Sequence, residues 1–175
     1  SILGKRKKIL HEKIGTAIEE LHKENIDEHY EVLSEHFMNA KNYEKGAQYC
    51  RLMSRKAVKK ASLNDAIVYG KKRVACLEKL PQTEDVQKKI IDARVALGLY
   101  LTHMNLYTEA KDAVAPVIDL ALKYDYKRRL CRIYFIEGAY YLYYKEDLPK
   151  AFQNLKKALE VSEEAGDLLS YVLAH

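Results

Sequence analysis

The sequence is short of everything that makes loops. Its 175 residues hold seven Gly and three Pro, with no Trp at all, against a combined Gly and Pro share of about 12% in an average protein. That shortage predicts few tight turns, and long helices joined by short connections. Cysteine is scarce too: Cys50, Cys76 and Cys131 are odd in number, far apart, and outside any Cys-x-x-Cys spacing. Such usage fits a reducing compartment and argues against a disulfide framework or a structural zinc. No uncharged run reaches the roughly 18 residues of a membrane-spanning helix, and the first residues lack the layout of a signal peptide. A cytoplasmic protein with no membrane partner is the expectation. The phosphate-cradling patterns Gly-x-x-x-x-Gly-Lys-Ser/Thr and Gly-x-Gly-x-x-Gly are missing, which excludes the motif-borne chemistry of an ATPase or dinucleotide enzyme from this stretch of chain. Neither a cofactor nor a catalytic role is expected.

What the sequence does contain is 48% apolar and 31% charged side chains, too apolar for a disordered tail and too charged for a membrane protein. A folded chain of this length buries roughly 70% of the surface its unfolded form exposes, so its core needs no covalent staples. The net charge of +5 is unevenly spread: residues 45–73 carry nine cations against the single acid Asp65, a local +8 that leaves −3 for the remainder. The protein is locally basic, not basic throughout.

Apolar residues recur at three- and four-residue spacing almost everywhere, and no stretch alternates as a half-buried strand does. The chain therefore reads as all-α. The periodicity places helices near 5–23, 27–41, 43–60, 63–80, 84–103, 107–123, 127–144 and 148–165. Asp27 is expected to cap the second helix, and Asn64-Asp65, Pro81-Gln82-Thr83, Asn105, Tyr124-Asp125 and Glu146-Asp147 to supply the other breaks. The implied loops of about 2–5 residues make sequential helices antiparallel neighbours. Pro116 falls inside a helix and predicts a kink, whereas Pro149 sits in a first turn where its missing N–H is harmless. The absence of an initial Met and the opening of a further helix at 168–175 predict that the chain is a piece of a longer protein.

The pattern also repeats. Phe135, Gly138-Ala139 and Leu142 on one helix are followed by Leu148, Ala151, Leu155 and Ala158 on the next. The same offsets recur in Arg94, Leu97-Gly98, Leu101 with Tyr107, Ala110, Val114, Val117, and in Tyr30, Leu33-Ser34, Phe37 with Tyr43, Gly46, Cys50, Met53. Small residues let two helix backbones approach and bulky ones fill the space beside them. A weaker fourth copy uses Met53-Ser54, Ala57, Leu63 and Ala66, so the helix near 43–60 either closes one hairpin or opens the next. This spacing resembles the tetratricopeptide repeat. The resemblance implies a right-handed α-solenoid of about eight helices, stacked as antiparallel hairpins, although Ala66, Ala110 and Ala151 stand 44 and 41 residues apart, further than the family's period of about 34. The domain organisation expected is a linking helix over 1–26 and a repeat array over 27–175.

A second resemblance covers most of the chain. Lys7-Lys8-Ile9-Leu10-His11-Glu12-Lys13-Ile14-Gly15 with Ala17-Ile18-Glu19, then Glu28-His29-Tyr30 with Leu33, Glu35-His36-Phe37, Glu44-Lys45, Ala66-Ile67 and Leu80-Pro81, is similar to the region behind the ATPase module of large bacterial signal-transduction ATPases, the type associated with adenylate or guanylate cyclase domains. In those proteins a basic, histidine-bearing helix follows the ATPase and winged-helix portion, and helical repeats form a sensing or protein-binding arm. The resemblance implies the same role here.

The candidate binding residues are the outward positions of the repeats, which the packing pattern places on a concave ladder: Glu28, Glu31 and Glu35; Arg51, Arg55 and Lys59; Leu99, Thr102 and His103; and Tyr140, Tyr143 and Tyr144 beside Glu137. Arg51, Arg55 and Lys59, spaced four apart, share one stripe. They clamp a carboxylate-bearing protein segment or a domain of the parent protein, or they merely neutralise Glu28, Glu31 and Glu35 on the neighbouring helix as surface pairs worth about 0–1 kcal/mol each. Tyr134, Tyr140, Tyr141, Tyr143 and Tyr144 are too dense for all to face a core, so part of the cluster is exposed, where it adds contact area at low entropic cost. The runs Lys5-Arg6-Lys7-Lys8 and Lys127-Arg128-Arg129 read as solvated helix ends. Glu19 and His22 have the Glu-x-x-His spacing of a di-iron ligand pair but lack the second pair and carboxylates such a site needs, and His29 and His36, seven apart, read as a packed or surface pair. No metal is expected. The alternative function is single-stranded RNA binding by the basic band 45–73 with tyrosines for stacking, opposed by the acidic ridge beside it. Self-association through the exposed end of the array is also expected.

Overall fold

The computed structural model describes residues 2–166; the helix expected to open at 168 lies outside them. All regular structure among the described residues is helical. The elements are α1 (Ile2–Leu21), a 3-10 turn (Ile26–Glu28), α2 (Tyr30–Asn39), α3 (Tyr43–Lys59), α4 (Leu63–Leu77), α5 (Glu84–His103), α6 (Tyr107–Val114), a 3-10 turn (Ala115–Val117), α7 (Ile118–Lys123), α8 (Lys127–Tyr143) and α9 (Leu148–Ala165). The helix expected over 107–123 is thus interrupted at Pro116, where the missing N–H and the ring's clash with the preceding turn convert one turn to 3-10. Asp27 does not cap α2: it lies within the first 3-10 turn, and His29 occupies the cap position. Asn64-Asp65 likewise fall inside the first turn of α4, whose cap is Ser62.

By its contacts the chain divides into two compact units, Ser1–Val86 and Gln87–His175. In the first, α1 packs on α2, α2 on α3 and α3 on α4. Contacts also skip one helix, since α1 reaches α3 through Glu19 and Tyr49, and α2 reaches α4 through Glu31 and Tyr69. A hairpin whose helices touch both the next and the next-but-one neighbour is the packing unit of a helical repeat. Leu33, Phe37 and Tyr49 form a buried cluster there, with Ile18, Ile26, Tyr30 and Leu52 packed around it, and full burial of such side chains is worth about 1.5–3 kcal/mol each. The helix 43–60, open between two hairpins in the sequence, faces both: Ser54 Oγ donates to the Ala66 carbonyl on α4 at 3.2 Å while Tyr49 packs against Phe37 of α2.

In the second unit the repeated small residues sit where backbones approach. A Cβ added at Gly98 of α5 would lie 2.9 Å from both Val114 Cγ1 on α6 and Ile136 Cδ1 on α8, so only Gly lets one α5 turn touch two neighbours at once. Leu97, Leu101, Ala110, Val114, Val117, Ala139, Ala151 and Ala158 are all buried, as are Leu33, Ser34, Phe37 and Cys50 in the first unit. Leu148 departs from the pattern, remaining 64% exposed on the first turn of α9.

The expectation of few tight turns fails, and the reason is local. Lys41, Ala61, Asn105, Asp125 and Glu146 all adopt positive φ, between 45° and 60°, each at a helix-to-helix turn. At four of them the residue after the left-handed one donates its N–H to the carbonyl five residues back: Asn42 to Phe37, Ser62 to Ala57, Leu106 to Leu101 and Tyr126 to Ala121, each at 2.9 Å. That is the Schellman bond which closes a helix C-terminus. Such turns ordinarily use Gly, because a Cβ in the left-handed region costs about 1–2 kcal/mol. Here the cost is tolerated, so a low glycine count does not argue against such turns, three of which fall at the breaks expected at Asn105, Tyr124-Asp125 and Glu146-Asp147.

Two stability outcomes follow from this geometry. Ala61, exposed and at φ 56°, loses its strain when replaced by glycine, so Ala61→Gly should raise the urea-unfolding free energy by about 0.5–1 kcal/mol after the unfolded-state entropy of glycine is set against it. Gly98→Leu should lower it by about 1–3 kcal/mol or more through overpacking. Far-ultraviolet circular dichroism in urea reads both.

Candidate functional site

The cationic stripe is built by α3. Asn42 caps this 17-residue helix by accepting from Lys45 N, and the buried Gly46, Tyr49, Cys50, Ser54 and Ala57 face its neighbours. Their 3.6-residue period turns Arg51, Arg55 and Lys59 outward, and all three are exposed. None of the three joins an ion pair or side-chain hydrogen bond among the described residues. Other cations of the basic band are engaged: Lys45 with Glu19 at 2.5 Å, Lys56 with the Asp27 carbonyl and carboxylate, and Lys72 with Glu35.

The acidic set therefore does not neutralise the stripe. Glu31 accepts from the Tyr69 hydroxyl at 2.9 Å, Glu35 pairs with Lys72 and Glu28 accepts from Asn25 Nδ2 at 3.3 Å. Glu31 and Glu35 are thus engaged by α4, through Tyr69 and Lys72. The same arrangement recurs twice. Glu19 on α1 accepts from the Tyr49 hydroxyl at 2.6 Å and from Lys45; Asp92 on α5 accepts from the Tyr126 hydroxyl at 3.0 Å and from Arg129 Nε at 2.5 Å. Glu19 and Asp92 are each held by a tyrosine and a cation about one helical turn apart on an element further along the chain, whereas on α2 the tyrosine and the cation take neighbouring carboxylates, Glu31 and Glu35. Burial, then the hydrogen bond to the carboxylate, pushes the Tyr49 and Tyr69 hydroxyls well above the usual phenol range, so both remain donors. Arg129 is consequently no solvated helix end, as its basic run suggested, and Lys127 pairs with Glu164 at 3.2 Å. Nothing in the spacing of these residues announced the latches.

In the second unit, α8 and α6 bring the tyrosines together. Tyr143 and Tyr144 are 64% and 55% exposed, and Tyr143 stacks on Tyr107 with centroids 5.2 Å apart. Tyr140, expected to point outward, is buried, since it continues the core stripe of Ile133 and Ile136. It stacks with Tyr144 at 5.3 Å and meets Tyr141 edge-on at 5.2 Å, while Lys111 Nζ sits 4.4 Å above its ring. Burial pushes the Glu137 carboxyl up, and Lys111 and Lys157 oppose that shift. On α5, Leu99 is half-buried, and the polar groups beside it are spent on their own helix: Thr102 Oγ1 donates to the Gly98 carbonyl at 2.8 Å, and His103 Nδ1 lies 2.9 Å from the Leu99 carbonyl. Tyr143 and Tyr144 are thus the members of this set that offer free aromatic surface.

Glu19 and His22 do not act together, because Glu19 is held by α3 and His22 lies against the tilted ring of His29, centroids 3.9 Å apart. Among the described residues no group of three or more His, Cys, Asp and Glu side chains converges on a point that could hold a metal. Cys50 and Cys76, distant in sequence, meet between α3 and α4 as buried thiols. Cys50 donates its hydrogen to the Cys76 sulfur, which raises the one thiol and lowers the other.

The latches differ in strength. Asp92 and Arg129 are 29% and 25% exposed, so Asp92→Asn, which leaves a half-buried guanidinium without its counter-charge, should cost about 2 kcal/mol. Tyr69→Phe, whose partner Glu31 is exposed, should cost about 1 kcal/mol. Urea unfolding of the single variants, with an Asp92→Asn/Arg129→Gln cycle returning a coupling energy above about 1 kcal/mol, checks both. No protein-family model matches the chain, and no curated protein or solved structure matches it either.

Proposed function

We propose that the chain is a non-catalytic helical-repeat scaffold that binds an acidic protein segment along the exposed stripe of α3. The observation that carries this reading is the freedom of Arg51, Arg55 and Lys59, three cations one turn apart, while the acids next door are committed to α4. An acidic segment laid along them forms charge-assisted hydrogen bonds without first breaking an internal pair. Within the second unit, the exposed faces of Tyr143 and Tyr144 offer a separate contact surface of lower polarity. The resemblance to the tetratricopeptide arm of bacterial signal-transduction ATPases supports the same role, in which the segment belongs to a cytoplasmic partner or to another domain of the parent protein. Single-stranded RNA is less well served by the basic band, because Lys45, Lys56 and Lys72 are already paired.

A panel of acidic and scrambled neutral peptides, titrated by calorimetry against the full chain, tests the proposal. The acidic members should bind, and Arg51→Glu/Arg55→Glu/Lys59→Glu should weaken them at least about tenfold, a change of about 1.4 kcal/mol, with the circular dichroism unchanged. Equal affinity for the charge-reversed chain overturns the assignment of α3.

A further inference from the structure

Two pairs of histidines face each other across the seam between α1 and α2. His11 Nδ1 and His36 Nδ1 are 3.0 Å apart in a hydrogen bond, with ring centroids 5.1 Å apart. His22, directly after α1, and His29, directly before α2, lie ring against ring at a tilt of 36°, centroids 3.9 Å apart. We propose that this double histidine seam is an acid-sensitive clasp that holds α1 against α2 near neutral pH and releases it as the pH falls toward 5.5.

The rest of the α1 interface buries little apolar surface. Gly15 is its only buried residue, lying where a Cβ would come within 2.9 Å of the Phe37 ring. Ile9, Leu10 and Leu21 are more than half exposed. The other ties are polar: Asn42 Nδ2 donates to Glu12 at 2.9 Å, and Glu19 accepts from Lys45 and Tyr49. Segments with few buried apolar contacts open locally at a fraction of the global unfolding free energy.

The acid sensitivity centres on the His11–His36 pair. The His11–His36 bond needs one Nδ1 as acceptor, and a second proton removes it and sets two like charges in contact. Among the described residues, His29 Nε2 is buried without a hydrogen-bond partner. The surroundings add to the repulsion. Lys5, Lys8 and Lys41 line an open cleft of about 470 Å³ beside Glu12, while the carboxylates at the seam are committed, Glu12 to Asn42, Glu19 to α3, Asp27 to Lys56 and Glu28 to Asn25. Burial, then the His11 charge, lowers the His36 imidazole below its ordinary 6.5. A histidine lowered in the folded state stabilises that state above pH 6.5 and loses the contribution as the pH falls through the interval between the two values. Release uncovers the face of Phe37 that Gly15 and Ile18 occupy.

Hydrogen exchange on the full chain, corrected for intrinsic rates, decides the matter. Between about pH 7.5 and about pH 5.5 the amides of α1 should lose protection at least about tenfold, the effect of one extra proton bound over one pH unit, while those of α3 and α4 keep theirs. His11→Gln/His36→Gln with His22→Gln/His29→Gln should flatten that response. Unchanged α1 protection in the wild type, a loss shared equally by α3 and α4, or an undiminished response in the four-histidine variant would each overturn the clasp. Should that variant fail to fold, the wild-type His36 ring resonances decide instead: a midpoint below 6.5 that moves with α1 exchange supports the proposal, and an ordinary midpoint refutes it.

Discussion

The stacking of helices in this protein depends on one recurring contact, a carboxylate gripped by a tyrosine hydroxyl and a cation from an element further along the chain. Glu19 and Asp92 each receive such a pair, and on α2 Glu31 takes the tyrosine and Glu35 the cation. Apolar packing between α-helices is permissive about register, since a sliding helix exchanges one methyl contact for another. A hydrogen-bonded ion is not permissive, because a slip of one turn leaves a carboxylate facing the wrong side chain and a half-buried cation without its partner. The latches therefore set the register that the apolar stripes alone leave loose, and in doing so they use up the acids that would otherwise have silenced the cationic stripe of α3.

The turns follow a similar logic at smaller scale. Five connections share a left-handed residue that is not glycine, and four share the same N–H to carbonyl closure five residues back. The strain at each is offset by satisfying carbonyls that would otherwise be orphaned at a helix end. Uniform turns return each helix alongside its predecessor in a comparable way, and that uniformity is what lets a tyrosine on one element find a carboxylate on a much earlier one.

Much of this was legible in the sequence. The helices over 84–103 and 148–165 begin and end where periodicity placed them, because Thr83, Asp147 and Pro149 are unambiguous starts and Gly166, in the left-handed conformation, is an unambiguous stop. The repeated small residues were legible for the same reason, as Gly98, Ala110 and Ala151 recur at fixed offsets from bulky neighbours. Tyr140 was misplaced because a residue at the border of a helical stripe belongs to either face until the neighbour is known. The latches and the histidine pairs left no trace in the spacing, since Tyr69 and Glu31, or His11 and His36, are joined by geometry across separate helices and by no local rule.

The sequence by itself determined the helices, many of their bounds, the break at Pro116 and most of the buried faces, because these depend on interactions within a few residues. Only the tertiary structure decided which charges are spent and which are free. Arg51 and Arg129 look alike in sequence, yet Arg129 is half-buried on Asp92 while Arg51 stands exposed. The difference comes from what the adjacent helix presents at that height, a property of packing that no single helix carries.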